Sequence, residues 1–208
     1  MEPSGSFAKG TAIHGGTDID IFASLSSDVT QSLAHVYNTL FNRLRDEGFN
    51  PRQQNVSIGI KVGAYSVDVV PARRHGPTGQ YHSLYRRKAD TWTQTNVVTH
   101  INAVRSSGRA EEIMILKAWR GQKGLTFPSF YLELVTIEAC RGRRVGDLAE
   151  NVWVTLAYIR DNITRAVFID PANTNNRISD DLTAVEKQAL ANAASTARQA
   201  GNWGQIVQ

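Results

Sequence analysis

Between residues 33 and 44 the apolar side chains Leu33, Val36, Tyr37, Leu40, Phe41 and Leu44 recur at intervals of three and four. That spacing lines them along one face of a helix, predicted to start near Asp28 and to end at Gly48. Around this helix the period changes to two. Asp18 to Phe22 alternates polar with apolar and predicts a strand. Two β-rich runs follow, Val56 to Val62 and Tyr65 to Val70, separated by Gly63-Ala64 and closed by Pro71. Past about residue 93 helical spacing takes over. Ala110 to Gly121 carries Ile113, Leu116, Lys117 and Trp119, while Ser129 to Cys140 is apolar almost all round and predicts a buried helix entered at Pro128. Leu148, Val152, Thr155, Leu156 and Ile159 share a face of a third helix, and Asp181 to Gln199, polar and alanine-rich, predicts a surface one. The pattern describes an α+β chain of two lobes, a mixed β-sheet lobe over residues 1–92 and a helical lobe over 93–208. A cleft between two such lobes is the natural place for a ligand.

With 208 residues, 41% hydrophobic and 20% charged, the chain has ordinary globular composition, which excludes a disordered or low-complexity protein. No apolar run is long enough to span a bilayer, and Met1-Glu2-Pro3-Ser4 has no signal-like character, so a soluble, cytoplasmic protein without membrane partners is expected. The single Cys140 permits neither an internal disulfide nor a cysteine zinc site and reads as a small buried apolar residue. His14, His35, His75, His82 and His100 lack zinc-ligand spacing, and neither a Walker A loop nor a Gly-x-Ser-x-Gly elbow occurs. The net charge of +4 admits a polyanionic ligand. Arg73-Arg74 and Arg86-Arg87-Lys88, interleaved with Tyr81, Tyr85 and Trp92, either steer nucleotides or an RNA end or form a solvated loop.

The candidate chemistry sits in the first seventy residues. Residues i and i+2 of a strand share a face, so Asp18 and Asp20 project together. Two adjacent carboxylates repel unless a cation neutralises them, and hard oxygen donors suit Mg²⁺. A third acid, Asp68, stands among valines in Ser66-Val67-Asp68-Val69-Val70, where it needs a partner. Three carboxylates on neighbouring strands can hold two divalent ions, the arrangement that clamps both oxygens of an in-line phosphoryl or nucleotidyl transfer. Upstream, Gly5-Ser6 forms a turn into a short helix that can cradle terminal phosphates. Taken singly, Asp-x-Asp is an exposed strand edge and Gly-Ser is a turn; it is their conjunction with Asp68 that points to a site.

Gly-Ser, then Asp-x-Asp, then a distal Asp on a strand resembles the DNA polymerase β-type nucleotidyltransferase superfamily. The segments Gly5-Ser6-Phe7-Ala8-Lys9-Gly10-Thr11, Thr17-Asp18-Ile19-Asp20, Val67-Asp68-Val69-Val70-Pro71-Ala72-Arg73-Arg74, Lys117-Ala118-Trp119, Phe127-Pro128-Ser129-Phe130-Tyr131-Leu132-Glu133-Leu134 and Asp170-Pro171-Ala172-Asn173 are most similar to the bacterial cGAS/DncV-like enzymes (CD-NTases) and the oligoadenylate synthetases. This resemblance implies a two-lobed nucleotidyltransferase fold with the active site in the cleft, two Mg²⁺ or Mn²⁺ ions and NTP substrates. It makes Asp18, Asp20 and Asp68 the metal ligands and catalytic acids. Gly5 and Ser6 would hold the β- and γ-phosphates, Lys117 and Ser129 would contact the triphosphate, and Tyr131 would stack on the donor base. It implies synthesis of cyclic or short linear oligonucleotides with release of pyrophosphate, in anti-phage signalling. Two alternatives are nucleotide addition to an RNA 3′ end, as in CCA-adding enzymes, with RNA as acceptor or activator, and nucleotide binding without turnover. Members of the family usually carry a bracing helix ahead of Gly-Ser, whereas four residues precede Gly5 here.

Overall fold

The computed structural model describes residues 1–14 and 18–208, so Thr17 of the Thr17-Asp18-Ile19-Asp20 segment lies outside the described residues. Two compact units are formed: the described residues of Met1–Lys9 and Thr17–Asn102, and those of Gly10–Gly16 and Ala103–Gln208. In chain order the first unit contains β1 (Glu2–Pro3), α1 (Gly5–Lys9), β2 (Ile19–Leu25), α2 (Leu33–Asp46), β3 (Arg52–Gln53), β4 (Ile58–Val62), β5 (Tyr65–Arg74), β6 (His82–Arg86) and β7 (Thr91–Thr95). Helix α3 (Val97–Arg105) runs across the division after Asn102.

The strands form one mixed sheet in the order β1-β2-β5-β4-β3, with β6 beside the second half of β5 and β7 outside β6. Only the β2–β5 pair is parallel among these described strands; the others are antiparallel. Alternation along β2 and β5 gives the sheet two apolar faces. Ile60, Val67 and Val69 on one face gather Ile21, Ala23 and, from α2, Leu40 and Leu44. Phe22, Ala72 and Leu84 on the other gather Val56, Val70 and Val97. Ile19, at the first position of β2, is 36% exposed.

Helix α2 begins at Leu33 instead of near Asp28. The Ser32 hydroxyl accepts the His35 N–H at 3.1 Å and fixes the N-terminus there. Strand β5 does not close at Pro71 but continues to Arg74. Pro71 falls between the last β4 pair, Ile58 with Val69, and the first β6 pair, Ala72 with Leu84, where β5 changes partner.

The second unit is built from α4 (Ala110–Gln122), α5 (Ser129–Ala139), α6 (Leu148–Asn162), a small hairpin of β8 (Ile169–Asp170) and β9 (Asn173–Arg177), and α7 (Ala184–Arg198). Leu116, Trp119, Tyr131, Leu132, Val135, Val152, Leu156, Ile159 and Leu190 share its core. Helix α7 is held at its start by a capping box between Thr183 and Glu186 and buries Leu190, Ala191, Ala194 and Ala197. Arg109, 5% exposed, meets Glu112 at 3.1 Å and the Cys140 carbonyl at 3.1 Å, which ties the start of α4 to the end of α5. Cys140 is buried, with its sulfur 3.4 Å from the Thr155 hydroxyl. No helix among the described residues is long and apolar enough to cross a membrane.

Candidate active site

Asp20 and Asp68 stand directly opposite one another on the parallel pair β2 and β5. Asp18 lies two residues ahead of Asp20, exposed, at the entry to β2. The Gly-Ser turn is built onto this strand. The Ser4 N–H donates to the Asp20 carbonyl at 2.8 Å, and the Ser6 N–H donates to the Asp20 carboxylate. Gly5 has a φ of +57°, and a Cβ placed there would lie 1.7 Å from Asp20 Oδ2. No other residue satisfies both the left-handed backbone and that approach. The first turn of α1 and the second acid of the Asp-x-Asp pair therefore form one packed object.

Asp68 is held from the loop between β3 and β4. Gln54 Nε2 donates to its Oδ1 at 2.8 Å, and Ser57 Oγ lies 3.5 Å from its Oδ2 and 3.1 Å from Gln54 Oε1. Gln54 is fixed in turn by Tyr37 of α2, which is fully buried. The tyrosine hydroxyl donates to the Ser57 carbonyl at 2.8 Å and accepts the Gln54 N–H at 3.1 Å. Arg87 Nε adds a bond to the Gln54 carbonyl at 3.1 Å.

These acids do not sit comfortably together as anions. Burial, with the charges of Asp68 and then Asp18, pushes the Asp20 carboxyl up to about 6, against opposing effects of Lys9 and the Ser6 N–H. Burial and Asp18 also raise Asp68, partly offset by Gln54, Ser57 and Arg52. No group of three His, Cys, Asp or Glu side chains among the described residues is already drawn together tightly enough to hold a metal ion. The donor chemistry nevertheless fits a hard divalent cation: oxygen ligands whose mutual repulsion such an ion would relieve.

In the second unit the three residues singled out from the sequence have different surroundings. Lys117 is 2% exposed, and its Nζ donates to Glu133 Oε1 at 2.7 Å, Thr11 Oγ1 at 2.9 Å and the Thr11 carbonyl at 3.1 Å. Thr11 Oγ1 itself donates to Glu133 Oε1 at 3.0 Å. Tyr131 is fully buried, edge-to-face with Phe168 at 5.5 Å and Phe127 at 6.3 Å, and its hydroxyl finds no partner among the described residues. Burial pushes that hydroxyl up to about 12. Ser129 is half-buried at the first position of α5.

No family model matches the chain. A curated relative, the cyclic AMP-AMP-AMP synthase of Escherichia coli (strain MS 115-1), is 27% identical over 154 residues, 65% of this chain and 48% of the relative. The chain thus spans about half the length of that relative. CdnC of E. coli MS115-1, solved with ATP, superposes with a TM-score of 0.77 at 24% identity over 95% of this chain and 74% of the other. The Vibrio cholerae cyclic AMP-GMP synthase DncV, a prokaryotic cGAS homologue, gives 0.71 at 17% identity over 99% and 65%. The fold is that of the cGAS/DncV-like nucleotidyltransferases.

Within this nucleotidyltransferase fold, Gly5, Ser6, Asp20 and Asp68 lie against one another on β2 and β5 with Asp18 at the entry to β2, and Lys117 and Tyr131 have surroundings of their own in the second unit. Lys117 donates to Thr11 and Glu133 in the interior of the second unit. The Tyr131 ring packs edge-to-face against Phe127 and Phe168. Arg73, Arg74 and Arg87 do not form a plain solvated cluster: Arg73 holds the carbonyls of Val29 and Gln31, Arg74 that of Pro77, and Arg87 that of Gln54. Sequence reasoning missed Gln54, Ser57 and Lys9. Lys9, three residues after Ser6 in the same segment, was within reach; nothing in the local pattern marks Gln54, whose contact with Asp68 arises from a hairpin folding back on β5.

Proposed function

We propose that the chain is a divalent-cation-dependent, template-independent nucleotidyltransferase that joins NTPs into cyclic or short linear oligonucleotides and releases pyrophosphate. The observation that carries this reading is the register of Asp20 against Asp68, with Asp18 alongside and the Gly5-Ser6 turn packed on the Asp20 carboxylate. The sequence match to a cyclic trinucleotide synthase supports the substrate class, and a place in anti-phage signalling is part of the same proposal.

Asp18, Asp20 and Asp68 would hold two Mg²⁺ or Mn²⁺ ions. Bound there, such ions supply Lewis-acid stabilisation of the phosphoryl centre and of the leaving pyrophosphate. Asp68, whose carboxyl is raised by burial and by Asp18, accepts the proton of the attacking ribose hydroxyl. The Gly5-Ser6 turn receives phosphate oxygens. Catalysis then rests chiefly on positioning, as expected where the transferred group itself needs little covalent help.

Incubation with four α-labelled NTPs and Mg²⁺ or Mn²⁺, followed by phosphatase and chromatography, tests this. The expected result is a phosphatase-resistant product whose mass separates cyclic from linear species. Asp18→Asn and Asp20→Asn should each lower its rate by about 10²–10³-fold, the scale on which loss of one electrostatic catalytic group is felt. Undiminished turnover in either variant would overturn the assignment. Extension of a tRNA 3′ end by CTP and ATP instead would move the reading to an RNA acceptor.

A further inference from the structure

We propose that Gln54 is a neutral positioning residue for Asp68, holding the carboxylate in one orientation while leaving its negative charge for a divalent cation. The inference rests on the reading of Asp68 as a cation ligand and adds a residue that reading does not contain.

The geometry is specific. Gln54 Nε2 donates to Asp68 Oδ1 at 2.8 Å, and its Oε1 is engaged 3.1 Å away by Ser57 Oγ, which settles which end of the amide faces the acid. The backbone of Gln54 is pinned on three sides: N–H to Tyr37 Oη and to the Ser57 carbonyl, and C=O to Arg87 Nε. Even the neighbouring strand leaves room for this contact, since a Cβ on Gly59 would lie 2.9 Å from Gln54 Nε2 and 3.0 Å from Asp68 Oδ1.

A lysine or arginine at this position would orient Asp68 at least as firmly, because charge-assisted hydrogen bonds are stronger. It would also neutralise the carboxylate and repel an incoming cation. An amide orients without doing either. The cation that does act on Asp68, Arg52, is exposed, and its effect comes after those of burial, Asp18, Gln54 and Ser57.

The contrast supplies the test. Wild type, Gln54→Met, Gln54→Lys and Asp68→Asn are compared by Mn²⁺ titration monitored by electron paramagnetic resonance, with melting temperatures in chelator as the control for folding. Gln54→Met should weaken Mn²⁺ about threefold, the loss of one hydrogen bond. Gln54→Lys should weaken it about tenfold or more while melting at or above wild type, approaching Asp68→Asn in affinity. In turnover, the Mn²⁺ concentration for half-activation should rise in Gln54→Lys with the KM for NTP unchanged. A purely structural Gln54 predicts the reverse, with Gln54→Lys binding Mn²⁺ like wild type, and that result overturns the proposal. If Gln54→Lys fails to fold, Ser57→Ala, which frees the amide end, should weaken Mn²⁺ without lowering KM; unchanged affinity there overturns it too. Absence of Mn²⁺ binding by wild type would instead sink the reading of the acids as cation ligands.

Discussion

Asp20 shows how a single residue can be stable in place and uneasy in charge. Its carboxyl, ordinarily near 3.8, is raised to about 6, so the folded chain binds this proton more tightly than the unfolded chain does. The stabilisation from that proton is fully present below the ordinary carboxylate range and is lost as pH climbs through 6. Without divalent cations the melting temperature should therefore fall between about pH 4 and pH 6.5, and Asp20→Asn should flatten that portion and melt higher than wild type at pH 7.5. Calorimetry across the window checks it, and a variant curve parallel to wild type would contradict the account. The three acids and the Gly-Ser turn were legible at this scale because their residue types are chemically costly anywhere but at a site. The near-complete burial of Lys117 was not legible, because a helical period says which residues share a face but not whether that face looks into a core. A lysine with a buried glutamate sixteen residues on leaves no local signature.

At the scale of elements, the pair of α4 and α5 is bridged by Lys117 and Glu133, 2% and 0% exposed. Removing one partner of a buried pair leaves the other charge uncompensated, at about 3–5 kcal/mol, whereas replacing both with apolar residues is close to neutral. Lys117→Met alone should lower stability in urea by that order, and Lys117→Met with Glu133→Leu should restore most of it. An additive double variant would mean the two side chains do not depend on each other. Element existence and type followed well from periodicity, as for α2, α5 and α6. Boundaries followed less well, and each shift has a local cause: the Ser32 cap delays α2, and the change of partner along β5 lets a strand pass through Pro71.

Across the whole molecule, the fold matched by CdnC and DncV was foreseeable from motifs spread over nearly the full chain. Composition changes near residue 93, but compactness follows contacts, and α3 carries the first unit on to Asn102. All three acids and both residues bracing Asp68 belong to the first unit. Hydrogen exchange with and without Mn²⁺ should therefore slow in β2, β5 and residues 52–60 and stay unchanged in α5 and α6 at sub-millimolar ion. Equal slowing in α5 and α6 would argue for a binding place outside the acids.

The contact between Thr11 and Lys117 also bears on inheritance. The helical unit is discontinuous in the sequence, since Thr11 precedes most of it by about ninety residues yet supplies its hydroxyl and its carbonyl to the buried Lys117 ammonium. A crossover that exchanged only the downstream half with a distant relative would part that lysine from the threonine it depends on. Viable chimeras should carry residues 10–14 together with 103–208, and drift at position 11 should be tied to drift at positions 117 and 133.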